Sequence, residues 1–292
     1  MKTQISKSAI ELLLAKLFIV SLIMALIVFF TSCNKDDETQ PEKPEIDTQT
    51  TKDESAAQSE YDDIIVISEE AIDSAYTETY PVTTISIAAC ATLTSDTVNN
   101  TVEVDFGTEG CQGYDGRIRS GKIIVTYIGN YRTPGSAFNV AFDDYTVDGI
   151  VVSGSISYYT VSRNEQGNLT FTTQVINGKI EYPDGYAIEY DASFTVEWTQ
   201  GEATGDIFDD VFEISGNSSG TSSTGVGYTT EITVPITLKT ACWNQYIFYP
   251  VKGIKVLIPS HEATRTIDFG NGECDKIVTL SVGNYKYTVT LP

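Results

Sequence analysis

Four kinds of residue in this chain are equipped for chemistry: cysteines, adjacent carboxylate pairs, two arginines in one loop, and a single histidine. The cysteines are Cys33, Cys90, Cys111, Cys242 and Cys274. Thiolates can be alkylated, joined to one another, or used to hold zinc. The last four are spaced by 21, 131 and 32 residues, without the close CxxC pairs that zinc sites use. In an exported chain an even set of four points to two disulfides, and four cysteines allow three connectivities. The carboxylate pairs Asp62-Asp63, Asp143-Asp144 and Asp209-Asp210 suggest glycoside hydrolysis, which needs two acids facing each other across a cleft. Neighbouring acids on a strand point to opposite faces, so no catalytic residue can be assigned from them. The segment Gly205-Asp206-Ile207-Phe208-Asp209-Asp210 offers Asp206, Asp209 and Asp210 as calcium ligands, without EF-hand spacing. With zinc set aside by the cysteine spacings, calcium is the cofactor the sequence leaves open.

Residues 112–121 form a second candidate, with Tyr114, Asp115, Arg117 and Arg119. In a chain with 18 basic and 40 acidic residues, two arginines in one loop suit a carboxylate or an anionic sugar. The competing reading is that they pair with nearby acids and order the loop. His261, in Pro259-Ser260-His261-Glu262, has no HExxH spacing and no triad partner, and reads as a surface residue. Tyr158, Tyr159, Trp198, Trp243, Tyr246, Phe248 and Tyr249 could stack on sugars, but tyrosine-rich strands usually form ordinary β surfaces and cores.

The N-terminus supplies an address. Lys2, Lys7 and Lys16 precede the uncharged run Leu17–Phe30, which is short for a membrane span and suited to a secretory signal. Phe30-Thr31-Ser32-Cys33 resembles the bacterial lipobox, with Phe30 where Leu is usual. That resemblance implies removal of residues 1–32 and a diacylglycerol thioether on Cys33. The partners implied are a membrane through the lipid anchor and the lipoprotein processing and export machinery. Asn34-Lys35-Asp36-Asp37-Glu38 resembles the surface-export signal of Bacteroidetes lipoproteins, which implies display at the outer membrane, with a periplasm-facing anchor as the alternative. Residues 33–60 are acidic and lack aromatics before Glu60, which reads as a disordered tether. Residues 61–82 are a transition segment: Ile64–Ile67 would suit a sheet, Glu69–Ser74 one or two helical turns. A net charge of −22 opposes nucleic-acid backbones.

From residue 83 to 292 the chain reads as one all-β domain. Tyr186, Ile188, Tyr190, Ala192, Phe194, Val196 and Trp198 alternate with polar residues, as do Tyr228, Thr230, Ile232, Val234, Ile236 and Leu238. Period-two patterns with one wet face favour antiparallel pairing. About ten to fourteen strands are expected, as a meander or a two-layer sandwich. Pro235 marks an edge or a bulge. Gly121, Gly154, Gly178, Gly216 and Gly253 recur near strand starts and mark either bends or ordinary turns.

One pattern occurs twice: Cys, strand, Asp-Phe-Gly, turn, Cys, strand, Gly-Asn-Tyr. It runs from Cys90 through Asp105-Phe106-Gly107 and Cys111 to Gly129-Asn130-Tyr131, and from Cys242 through Asp268-Phe269-Gly270 and Cys274 to Gly283-Asn284-Tyr285. A duplicated β unit, about 88–131 and 240–292, explains this and favours the pairings Cys90–Cys111 and Cys242–Cys274. The Asp-Phe-Gly lacks the companions of the kinase motif, and Phe106 and Phe269 read as core anchors. Together DFGTEGC, DGRIRSGKI and DFGNGEC resemble a family of β-rich Bacteroidetes and flavobacterial lipoproteins of unassigned activity. The resemblance implies an address and a fold. Three functions then compete: a non-catalytic binding or structural module of the envelope, with a glycan or an envelope protein as partner; a glycan hydrolase using paired carboxylates; and a carrier of apolar ligands in a curled sheet.

Overall fold

The computed structural model describes residues 43–75, 90–113, 115–130, 132–204 and 206–292. The expected signal peptide, Cys33, the start of the tether, residues 76–89, Tyr114, Tyr131 and Gly205 lie outside them. Among the described residues, fourteen strands follow one long helix. They are β1 (Thr92–Asp96), β2 (Thr101–Asp105), β3 (Cys111–Gln112), β4 (Ile118–Ile128), β5 (Ala137–Val147), β6 (Ile150–Arg163) and β7 (Leu169–Glu181). Then come β8 (Ala187–Gln200), β9 (Val211–Thr221), β10 (Gly227–Lys239), β11 (Lys252–Pro259), β12 (Arg265–Asn271), β13 (Ile277–Val282) and β14 (Tyr285–Thr290). All lie in one antiparallel sheet in chain order, except that the short β3 pairs beside β4. The strand order is that of a meander.

The alternation seen in the sequence places the core. On β8, Ile188, Tyr190, Ala192, Phe194, Val196 and Trp198 are buried, and residues between them face out. Ring stacks run across the strands on that face: Phe138 on Tyr158 at 4.3 Å, Tyr158 on Phe171 at 4.6 Å, and Trp198 beside Phe212 at 5.4 Å. Such stacks between strands add to plain burial.

The tether reading fails for residues 49–60, and the strand option fails for Ile64–Ile67. Helix α1 runs unbroken from Gln49 to Ala75; 19 of its 27 residues are buried and the rest are half-buried. Asp47 Oδ1 accepts the Gln49 amide at 2.7 Å, which satisfies one open donor of the first turn. An apolar stripe of Ala57, Tyr61, Ile64, Ile65, Ala71 and Ile72 packs into the core. The tether reading rested on a composition too polar to fold alone. Several of the helix's polar residues instead find partners on the strands and the turns between them. Glu54 meets Lys255 of β11 at 2.7 Å, and Asp53 accepts from the Ser223 amide and hydroxyl, both at 2.7 Å.

These contacts also fix the curvature. Arg119 on β4 reaches Asp63 of α1, and Lys255 on β11 reaches Glu54 of the same helix. Seven ladder steps separate β4 from β11, which in a flat sheet would be about 34 Å. A helix is only about 10 Å across. The sheet must therefore curl with α1 on its concave side. Bends are built in at glycines. Ladder registers shift at Gly121, Gly154, Gly178 and Gly253. At Gly154 φ is +105°, and an added Cβ would lie 2.6 Å from the Asn177 carbonyl oxygen. At Gly178 an added Cβ would lie 2.7 Å from the Tyr61 hydroxyl, which donates to the Ser153 carbonyl at 2.7 Å. That bend therefore also makes room for the helix. Pro235 falls in a stretch of β10 where the register slips against both neighbours.

Two disulfides brace the ends. Cys90 is bonded to Cys111 and Cys242 to Cys274, with Cα separations of 5.6 and 5.3 Å.

Candidate functional site

The inner face of the sheet is where the polar chemistry gathers, and α1 brings most of it. Near the middle of α1, Arg117 and Arg119 turn inward from the loop and from β4. Arg117 meets Glu60 at 2.7 Å and Asp148 at 3.1 Å. Arg119 meets Asp63 at 2.7 Å and Asp115 at 2.6 Å, with its side chain almost wholly buried. Burial works against both guanidinium charges, yet the carboxylates of Glu60 and Asp63 outweigh it and drive both pKa values upward. Burial pushes the Glu60 carboxyl up, with Arg117 opposing. The competing sequence reading of the loop therefore holds for its arginines. They are taken by the chain's own acids, and Asp115 is one of them. Free binding of an anion would have to displace those acids.

Nearer the N-terminus of α1, Lys255 lies fully buried between Glu54 and Gln58. Ser218 donates to the same Glu54 oxygen at 3.0 Å. Tyr61 stacks on Tyr190 at 5.6 Å, one turn further along. A buried lysine between a carboxylate and an amide has its charge and two of its donors satisfied, which is what makes it tolerable there.

At the far end, Arg132 lies 3.4 Å from Asp73, donates to the Glu202 carbonyl at 2.9 Å, and sits 4.8 Å over the Trp198 ring. The calcium candidates are close by but have separate jobs. Asp206 accepts the Phe208 amide, Asp209 accepts the Thr204 hydroxyl, and Asp210 accepts the Trp198 indole N–H at 2.9 Å. Among the described residues no group of three or more Asp, Glu, His or Cys is placed to hold a metal. These three acids, close in sequence, each accept a hydrogen bond from a different donor of the chain. Burial pushes Asp210 up to about 7, with Trp198 and Arg132 opposing and Asp209 and Asp206 adding to the rise.

Between the middle and far ends lies a narrow slot that no sequence pattern had pointed to. Its helix side is Asp62, Ile65, Val66 and Glu69, one face of α1. Its sheet side is built by apolar residues of β7 to β10, among them Phe171, Phe194, Phe212 and Leu238, with Thr173 as the one polar member. The slot is partly open to solvent, and its cavity volume, the space open to the centre of a water molecule, is about 40 Å³. Burial pushes Asp62 up to about 7 and Glu69 up to about 8. Lys255 and the Gln58 amide act against the first rise, Arg132 and a Tyr158 hydrogen bond against the second. The slot thus holds two carboxyls whose protonation changes near neutrality against apolar walls. The pair belongs to none of the Asp-Asp doublets that the hydrolase reading used. Seven residues apart on a helix, the two are two turns, or about 10 Å, apart along the axis.

His261 is exposed at the β11–β12 turn, with φ of +66°. Trp243 is half-buried in a 3-10 turn, Thr240–Gln245, that contains Cys242. No helix among the described residues is long and apolar enough to cross a membrane.

Comparison with protein-family models, with curated proteins and with solved structures found no match to this chain. Its function has to follow from its own residues and geometry.

Proposed function

We propose that the chain is an envelope lipoprotein, exported by its leader, acylated at Cys33 and held at the outer membrane, whose β domain is a non-catalytic binding or structural module. The carrying observation is the filling of the concave face. Helix α1 occupies it, and the inward cations Arg117, Arg119 and Lys255 are matched to helix acids. A hydrolase needs two carboxylates facing each other across an open groove, whereas Asp62 and Glu69 stand on one helix face. The lipobox-like Phe30–Cys33 segment supports the anchor, and the acidic run after it supports surface display.

The duplicated-unit reading gains support from local geometry. In both copies the Asp of Asp-Phe-Gly accepts the amide of the Gly two residues on, at 2.8 Å from Gly107 and 2.9 Å from Gly270. Phe106 and Phe269 are both buried, and each copy has its own disulfide.

Metabolic labelling with an alkyne analogue of palmitate tests the anchor. Label is expected on the wild-type chain and lost in Cys33→Ala. Equal labelling of both, or of neither, overturns the lipid anchor. Protease shaving of intact cells separates surface display from a periplasm-facing anchor.

A further inference from the structure

We propose that the slot between α1 and strands β7 to β10 binds a linear aliphatic diamine, its two ammonium groups on Asp62 and Glu69 and its methylene chain against the apolar wall.

The lining sets the chemistry. Phe171, Phe194, Phe212 and Leu238 on the sheet, with Ile65 and Val66 on the helix, want hydrocarbon. The only ionisable groups in the lining are the two acids, and no base lines it. A ligand carboxylate would meet like charge. A neutral alcohol would gain hydrogen bonds but leave both acids without a cation. An ammonium at each acid gives charge-assisted bonds in a site largely shielded from water, which are the strong kind. The two acids lie about 10 Å apart along the helix axis. An extended chain of about eight methylenes carries its terminal nitrogens a similar distance apart.

Bases that face the acids from outside the slot are already engaged. Lys255, beside Asp62, is held by Glu54 and Gln58. Arg132, beside Glu69, interacts with Asp73, the Glu202 carbonyl and the Trp198 ring. The other charged or titratable neighbours are Glu54 and Asp63 near Asp62, and Asp210, Asp73 and Tyr158 near Glu69. Extra acids around each site add to its pull on a cation. Because a diammonium favours the ionised carboxyls, binding releases protons near neutral pH, and affinity rises as pH goes from 6 to 8.5.

The inference takes from the reading above only that the domain is a binder, and it holds whether or not Cys33 carries lipid. The test is calorimetric titration of the purified full-length chain with 1,8-diaminooctane, 1,4-diaminobutane, octylamine, 1,8-octanediol and suberate. At pH 8 the eight-carbon diamine is expected to bind at least tenfold tighter than every other probe, with an enthalpy that depends on the buffer's protonation heat. Asp62→Asn with Glu69→Gln should abolish that margin, and Val66→Trp should block the slot while leaving both acids in place. Equal binding of the four- and eight-carbon diamines would mean general attraction to an acidic chain and would overturn the proposal. So would equal binding of the diol, no binding of the diamine, or a margin that survives both variants. A chain that binds the diamine but takes no label at Cys33 would leave this site standing and remove the anchor.

Discussion

Replacing Glu69 by Gln should make the protein more stable at alkaline pH and change little in acid. Glu69 lies on the inner side of α1 with about nine-tenths of its surface covered, and burial raises its pKa from 4.5 to about 8. Below pH 4.5 the carboxyl is protonated in the folded and the unfolded chain alike, so it has no pH-dependent effect. Between 4.5 and 8 the folded chain keeps a proton that the unfolded chain has lost, and stability falls as pH rises. Above 8 the loss is complete. The gap from 4.5 to about 8, at roughly 1.4 kcal/mol per pH unit, sets an upper bound of about 5 kcal/mol. Local relaxation and water entry bring the expected value to about 2–4 kcal/mol. Gln has nearly the same volume, no charge, and an amide that can still bond to the Tyr158 hydroxyl. Urea unfolding at pH 4.5, 6, 7, 8 and 9, with the disulfides intact and tryptophan fluorescence as the signal, measures the difference. The two proteins should match near pH 4.5 and diverge steadily up to about pH 8. Profiles that stay parallel over the whole range would falsify the burial argument for Glu69, and with it the dry character of the slot.

Two more substitutions probe how α1 is held and how the sheet bends. Lys255→Met leaves the Glu54 carboxylate buried without its cation and should cost about 3–5 kcal/mol in urea unfolding, whereas Lys255→Met combined with Glu54→Leu should recover most of the loss; a double variant as weak as the single one would rule out charge pairing as the reason. Gly154→Ala puts a methyl group 2.6 Å from the Asn177 carbonyl at a φ of +105° and should lower stability by about 3 kcal/mol, while Gly185→Ala, at a turn with open space, should cost only the strain of its positive φ; equal losses at the two sites would mean that close strand approach contributes nothing at Gly154.

The strands were legible because their signal is local. Each β8 residue from Ile188 to Trp198 announces its face by alternation alone, and the sheet follows from several such runs with turns between them. The bends were half legible. Gly121, Gly154, Gly178 and Gly253 stood out in the sequence, but a bend and an ordinary turn look alike until the opposing carbonyl is in place. The disulfides were legible through repetition, since the second Asp-Phe-Gly-x-x-x-Cys fixed how the first should be paired. Helix α1 was not legible as a buried element, although Ala57, Tyr61, Ile64, Ile65, Ser68 and Ile72 keep a helical spacing. Polar composition outweighed that spacing, because Thr50, Asp53, Glu54 and Gln58 look like solvent-loving residues when read in isolation. What makes them interior residues is a partner set drawn from distant strands: Lys255 sits 201 positions from Glu54, and Ser223 sits 170 from Asp53. The slot was hidden for the same reason. Asp62 was visible only as half of an Asp-Asp doublet, and the acid that lines the slot with it is Glu69, two turns along a helix whose inner face exists only once the sheet has curled around it. A polar segment therefore cannot be read as tether from its own composition when the rest of the chain offers buried cations in need of acids. Here the sheet supplies Lys255, Arg117 and Arg119, and α1 supplies the carboxylates that make their burial possible.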